Sequence, residues 1–180
     1  MLFTDFAGRR SAVRLELVQR IETAPVSAID RSAARPRVVI DSSSISQEGS
    51  AEIRTKLEAL GIAYLCAPVS GNAKVAKAGK LLLVASGPRA QYERVEPMLQ
   101  ALGRKVMWVG EGELARVWKI AHNTMFGVII QSLCEITVLA EKAGIPRNVF
   151  LESINDSVLG SMYTRYKTPV LTNLTFDQVT

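Results

Sequence analysis

Lys119, His122 and Asn123 are among the polar residues that interrupt an apolar run from Val117 to Ala140. Spaced i, i+3 and i+4, they share one face of a single turn if the run is helical. Polar groups on such a helix need partners or a cavity, and burial disfavours the charged form of a lysine. Lys119 is therefore a candidate general base, with a surface lysine beside a core histidine as the alternative that spacing alone leaves open. Two further polar segments stand upstream. Ser70-Gly71-Asn72 follows Cys66-Ala67-Pro68-Val69, and Ser42-Ser43-Ser44 follows Arg37-Val38-Val39-Ile40-Asp41. Each is a hydroxyl-bearing turn at the end of an expected strand, where open α/β sheets bind ligands, although either could be a plain surface turn.

The elements that must position these groups follow from periodicity. Short β-rich runs are expected as strands at 37–41, 63–66, 80–85 and 105–109. Helices are expected at about 50–60, where Ile53, Leu57 and Leu60 share a face, and at about 91–102. This alternation predicts an α/β sheet. From about Glu113 to Ala143 the pattern becomes one long helix, apolar on most faces, with Val117, Ala121, Met125, Val128, Ser132, Ile136 and Leu139 in helical period. Gly144-Ile145-Pro146 ends it, and helices at about 147–157 and 162–171 form an all-α tail. Before Pro36, Ser11 is expected to cap a helix running to about Thr23.

Composition narrows the class of protein. The 180 residues are 48% hydrophobic and 22% charged, the profile of a folded chain rather than a disordered or collagen-like one. Cys66 and Cys134 are too few and too far apart for a disulfide framework, so the cytoplasm is the expected compartment. Asp5 near the N-terminus argues against a secretory signal, and Lys119, His122, Asn123, Gln131 and Glu135 argue against a membrane span over the long apolar run. The net charge is +5, and Arg9, Arg10, Arg14, Arg20, Arg31, Arg35 and Arg37 all precede Val38. Acids are interspersed there and no aromatic residue lies between Phe6 and Tyr64, so a solvated face is expected rather than a nucleic-acid surface.

From Val38 onward the sequence resembles the β-hydroxyacid dehydrogenase family, which includes 3-hydroxyisobutyrate dehydrogenase, tartronate semialdehyde reductase and, more distantly, 6-phosphogluconate dehydrogenase. Val39-Ile40-Asp41-Ser42-Ser43-Ser44-Ile45-Ser46 is similar to the family's Asp-x-Ser-Thr-Ile-Ser-Pro segment, and Ala67-Pro68-Val69-Ser70-Gly71 to its substrate-binding Asp-Ala-Pro-Val-Ser-Gly-Gly segment. Lys119 falls at the catalytic lysine, while Glu135 and Lys142-Ala143-Gly144 match the continuation and end of that helix. Lys119-Ile120-Ala121-His122-Asn123 is nearer the Lys-x-x-His-Asn form of 6-phosphogluconate dehydrogenase than the Asn-Asn form. The resemblance implies the latter part of a Rossmann-like NAD(P)-binding domain, a long helix and the start of an all-α domain. It divides the chain into an arginine-rich leader at 1–36, the partial NAD(P)-binding domain at 37–112 and the helical part at 113–180.

The same resemblance implies an NAD(P)-dependent oxidoreductase acting on a small β-hydroxy acid, of the 3-hydroxyisobutyrate or 2-hydroxy-3-oxopropionate type. Lys119 would be its general acid/base. Ser70, Gly71 and Asn72 would hold the substrate carboxylate, Asn123 and His122 would make further substrate contacts, and Ser44 would meet the NAD or NADP. The family's opening Gly-x-Gly-x-x-Gly turn is not found before Arg37, and Gly110-Glu111-Gly112 carries acids unsuited to a diphosphate, so it reads as the link into the long helix. The chain is thus expected to be a central fragment. A binding or assembly module of the same fold, without catalysis, is the alternative. Cys66, Asn72, Val75 and Gln47 depart from the family pattern, and Val75 would be costly if the loop required positive φ there. An apolar long helix with little chain after it also predicts a homodimer.

Overall fold

The computed structural model describes residues 2–4, 10–12 and 36–176. The chain divides into two compact units, Met1–Lys119 and Ile120–Thr180. In the first, β1 (Leu2–Thr4) pairs antiparallel with β2 (Arg10–Ala12). Ser11, the expected helix cap, instead stands opposite Phe3 in this ladder, and the remainder of the expected helix lies outside the described residues.

Strand β3 (Val38–Asp41) runs parallel to β4 (Ala63–Cys66), with α1 (Gln47–Glu58) as the crossover. Ser46 caps α1 by accepting the Gly49 N–H, and Gly61 at φ 72 makes the left-handed turn after it. A short β5 (Val69–Ser70) pairs antiparallel with β6 (Leu81–Ala85), which is parallel to β7 (Gly103–Trp108) across α3 (Arg89–Gln100). A backbone bridge between Cys66 and Ser86 ties the two ladders. Leu57, Ile62, Tyr64, Cys66, Val84 and Ala115 form one core, with Trp118 packed against it. Leu65, Leu83, Ala85, Tyr92 and Leu99 form another, which half-buried Trp108 joins. The alternating strands and helices fall within a few residues of expectation. Within residues 36–110 the additions are β5 and α2 (Ala73–Lys77), both too short to show a period.

Helix α4 (Leu114–Lys142) runs unbroken for 29 residues, and its length and composition alone suffice to cross a membrane. In the second unit it is followed by α5 (Arg147–Asp156) and α6 (Met162–Asn173). Their core is Leu133, Leu151 and Leu171, with Ile130, Cys134 and Ile154 against it. The apolar positions that keep a helical period in the sequence are not the ones buried here. Met125, Val128, Ile136 and Leu139 are 49–66% exposed. A helix apolar on most faces gives period but does not choose which face turns inward.

Candidate active site

Lys119 lies in the last turn of α4 that belongs to the first unit, half-buried. Its ammonium donates to the Val69 carbonyl at 2.7 Å, and burial pushes its pKa below the ordinary 10.5. Val69 immediately precedes Ser70, so the lysine is held against the very strand that carries the expected substrate turn. Ser70 ends β5, and Gly71 turns the chain at φ 136. A Cβ on Gly71 would come within 2.8 Å of Leu81 Cδ2 and Val75 Cγ1, so both space and backbone demand glycine here. Asn72 then caps α2, its Oδ1 accepting the Val75 N–H at 3.1 Å. Its φ is −93, and among the described residues the only positive-φ non-glycine is Leu174. Neither Asn72 nor Val75 therefore pays for a left-handed backbone. The asparagine's capping oxygen, rather than its tolerance of positive φ, is what suits the position.

Ser44 is exposed on the loop between β3 and α1. His122 and Asn123 belong to the second unit, where His122 Nδ1 lies 3.4 Å from Asn123 Oδ1 and its ring packs edge-on against Phe126, centroids 4.6 Å apart. The continuous helix keeps Lys119, His122 and Asn123 at their i, i+3 and i+4 spacing.

Beneath these loops lies a buried polar network that motif reading passed over. Arg116 is 1% exposed and Asp41 7%. Their side chains form an ion pair at 2.7 Å, and the Tyr64 hydroxyl donates to Asp41 Oδ2 at 2.6 Å. A second pair joins Arg54 to Glu113 at 2.7 Å, while Arg54 also donates to the carbonyls of Tyr64 and Gly112 at 2.9 Å each. The Ser86 hydroxyl donates to the Gly112 carbonyl and accepts the Ala115 N–H, satisfying one of the unpaired amides at the start of α4. Burial pushes the Cys66 thiol up, so it stays neutral and donates to Glu113 Oε2 at 3.0 Å. A charged residue three before Lys119 in an apolar helix, and an acid ending a buried strand, were the available signals.

Glu113 shows how this network couples to pH. Burial pushes its carboxyl up, but hydrogen bonds from Ser50, Cys66 and Arg54 together with the Arg54 charge hold it below the ordinary 4.5. The unfolded chain therefore binds the proton more readily, and this carboxylate's stabilisation is present above pH 4.5 and lost as pH falls through the lower folded-state value. Urea midpoints measured between about pH 6 and 3 should fall less steeply for Glu113→Gln than for the unsubstituted chain. Parallel acid limbs would contradict this.

Two parallel strand pairs joined by helical crossovers, with polar loops at strand ends, agree with the latter part of a dinucleotide-binding domain. The family model for the NAD-binding domain of 6-phosphogluconate dehydrogenase matches residues 21–110, and the chain belongs to this β-hydroxyacid dehydrogenase family, whose cofactor class is NAD or NADP. L-threonate dehydrogenase of Haemophilus influenzae is 33% identical over 158 residues, covering 85% of this chain and 52% of that protein. The crystal structure of 3-hydroxyisobutyrate dehydrogenase from Salmonella typhimurium superposes with a TM-score of 0.68 at 31% identity, covering 76% of this chain and 48% of that one. Mycobacterium tuberculosis 3-hydroxyisobutyrate dehydrogenase, solved with L-serine, gives 0.69 at 28% identity, covering 81% and 52%. The chain spans about half the length of these relatives. An NAD-binding α/β part followed by a long helix is thus shown for the fold.

Proposed function

We propose that this chain is part of an NAD(P)-dependent oxidoreductase of small β-hydroxy acids, with Lys119 as its general acid/base. The observation that carries this reading is the Lys119 ammonium held 2.7 Å from the Val69 carbonyl, one residue before Ser70. A substrate whose carboxylate sits on the Ser70-Gly71-Asn72 turn brings its hydroxyl toward that nitrogen. Lys119 removes the hydroxyl proton in the oxidative direction and returns it in the reductive one. This requires a separation of about 2.6–3.2 Å. A bound nicotinamide would supply the hydride acceptor or donor for the same carbon.

Ser70 contributes a hydroxyl and the turn its backbone amides. Asn72 Oδ1 already accepts the Val75 N–H, so the carboxylate contact falls to its amide nitrogen. Asn123 and His122 are the further substrate contacts that the family resemblance implies. Ser44 fits the cofactor side because it is exposed at the carboxyl end of β3, next to the N-terminus of α1. The Gly110–Gly112 segment does not fit a diphosphate. Glu111 accepts the Arg89 N–H, and the Gly112 carbonyl is taken by Arg54 and Ser86. A homodimer in the cytoplasm completes the proposal, supported by the exposed apolar side chains of α4 and the two free thiols.

That committed glycine segment favours one second reading, a non-catalytic binding or assembly module. Titrating NADH and NADPH into the chain separates the two. Dissociation constants in the micromolar range support the oxidoreductase reading, and no saturation by about 1 mM supports the module. A panel of short hydroxy acids then identifies the substrate.

A further inference from the structure

Arg116 stands one helical turn before Lys119 and is the largest of the fully buried side chains among the described residues. All three of its nitrogens donate. Nε reaches Ser50 Oγ at 3.1 Å, Nη1 the Ser43 carbonyl, and Nη2 the Tyr64 hydroxyl at 3.0 Å as well as the Asp41 carboxylate at 2.7 Å. Nη2 also lies 3.3 Å from the Asp41 carbonyl. Asp41 in turn accepts the Ser43 N–H on Oδ1 at 2.8 Å. Both backbone polar groups of Ser43 are therefore held, the carbonyl by the arginine and the amide by its carboxylate partner. Ser44 is the next residue.

A buried ion pair is seldom more stabilising than apolar packing of the same volume, so stability alone gives little reason for this one. What apolar residues cannot do is fix two backbone groups of a loop in direction. We infer that Arg116 is a positioning residue which, with Asp41, sets the loop carrying Ser44 in register with the helical turn carrying Lys119. The inference rests on the roles proposed above for those two residues. It assigns to the pair the geometry between cofactor and base, in which small displacements cost rate steeply.

Lysine preserves the charge of Arg116 but not its planar fork, so Arg116→Lys isolates the geometry. Hydrogen exchange at the Ser43 and Ser44 amides should accelerate at least about tenfold in this variant, with β4 and β6 within about twofold of the unsubstituted chain. In kinetics or titration, the KM or Kd for the dinucleotide should rise about tenfold while the hydroxy-acid KM stays within about twofold, because Asn72 holds the substrate turn independently. A merely structural role would lower the amount of folded protein and leave both constants alone. Should Arg116→Lys fail to fold, Asp41→Asn, which removes the carboxylate paired with Arg116 and leaves an acceptor for the Ser43 N–H, takes its place and is read by Ser44 exchange and the dinucleotide constant. Unchanged exchange at Ser43 and Ser44, or an unchanged dinucleotide constant in a protein that binds it, overturns the inference. If the unsubstituted chain binds no dinucleotide, it is the functional reading that fails, and the exchange result alone decides whether the pair holds the loop.

Discussion

Lys119→Ala is expected to lower turnover by at least about 10²-fold in the assembled, cofactor-binding protein, with dinucleotide affinity nearly unchanged. The size follows from losing the only proposed acceptor for the substrate proton, while Ser70, Gly71 and Ser44 remain in place. Lys119→Arg should fail almost as badly, since a guanidinium does not give up its proton in the working range. Burial is the cause of the lowered pKa of Lys119, which sets the direction of the pH dependence. The neutral amine is the active form for oxidation, so that rate should climb with pH and level off below the ordinary lysine value of 10.5. Stability runs the same way. The unfolded chain binds more protons between the two pKa values, so the fold gains as pH rises across that window. Near-normal turnover in Lys119→Ala would remove the mechanism.

Asp41→Ala should cost about 3–5 kcal/mol of folding free energy, because it leaves the Arg116 charge buried with no carboxylate beside it. The side chains are 1% and 6% exposed, so little solvent is at hand to compensate. Tyr64 loses its acceptor and the Ser43 amide loses Oδ1 in the same step. Removing both charges is a different experiment. Asp41→Leu combined with Arg116→Met should recover most of the loss, since apolar residues of similar volume repack such sites at little cost. Denaturant midpoints of the single and double variants give the comparison, and a single-variant loss below about 1 kcal/mol would show that the pair is not dry.

Much of the first unit is legible in the sequence, because strands that end in hydroxyl turns and helices that stop at glycine leave local marks. The helix from Leu114 to Lys142 was anticipated to within a residue at each end, since its neighbours Gly110, Gly112 and Gly144 punctuate it. Which face of it turns inward was not, as nearly every position could be buried. Lys119 was visible as an ion inside the apolar run, whereas Arg116 precedes that run and belongs to no motif. Its meaning depends on Asp41 and Ser43, more than 70 residues away, and long-range partners write no local pattern. The capping role of Asn72 was not legible in the sequence. A side chain that caps a five-residue helix and one that tolerates a left-handed turn look identical in sequence.

The tryptophans give the molecule an internal optical partition. The chain has two, Trp108 and Trp118, and both lie in the first unit, one beside Tyr92 and Leu99 and the other packed against Leu57 and Tyr64. Indole emission therefore follows the melting of Met1–Lys119 alone, while far-ultraviolet circular dichroism takes much of its signal from the helices that continue beyond it. A gap between the two melting curves of one sample would measure directly how independently the two units come apart.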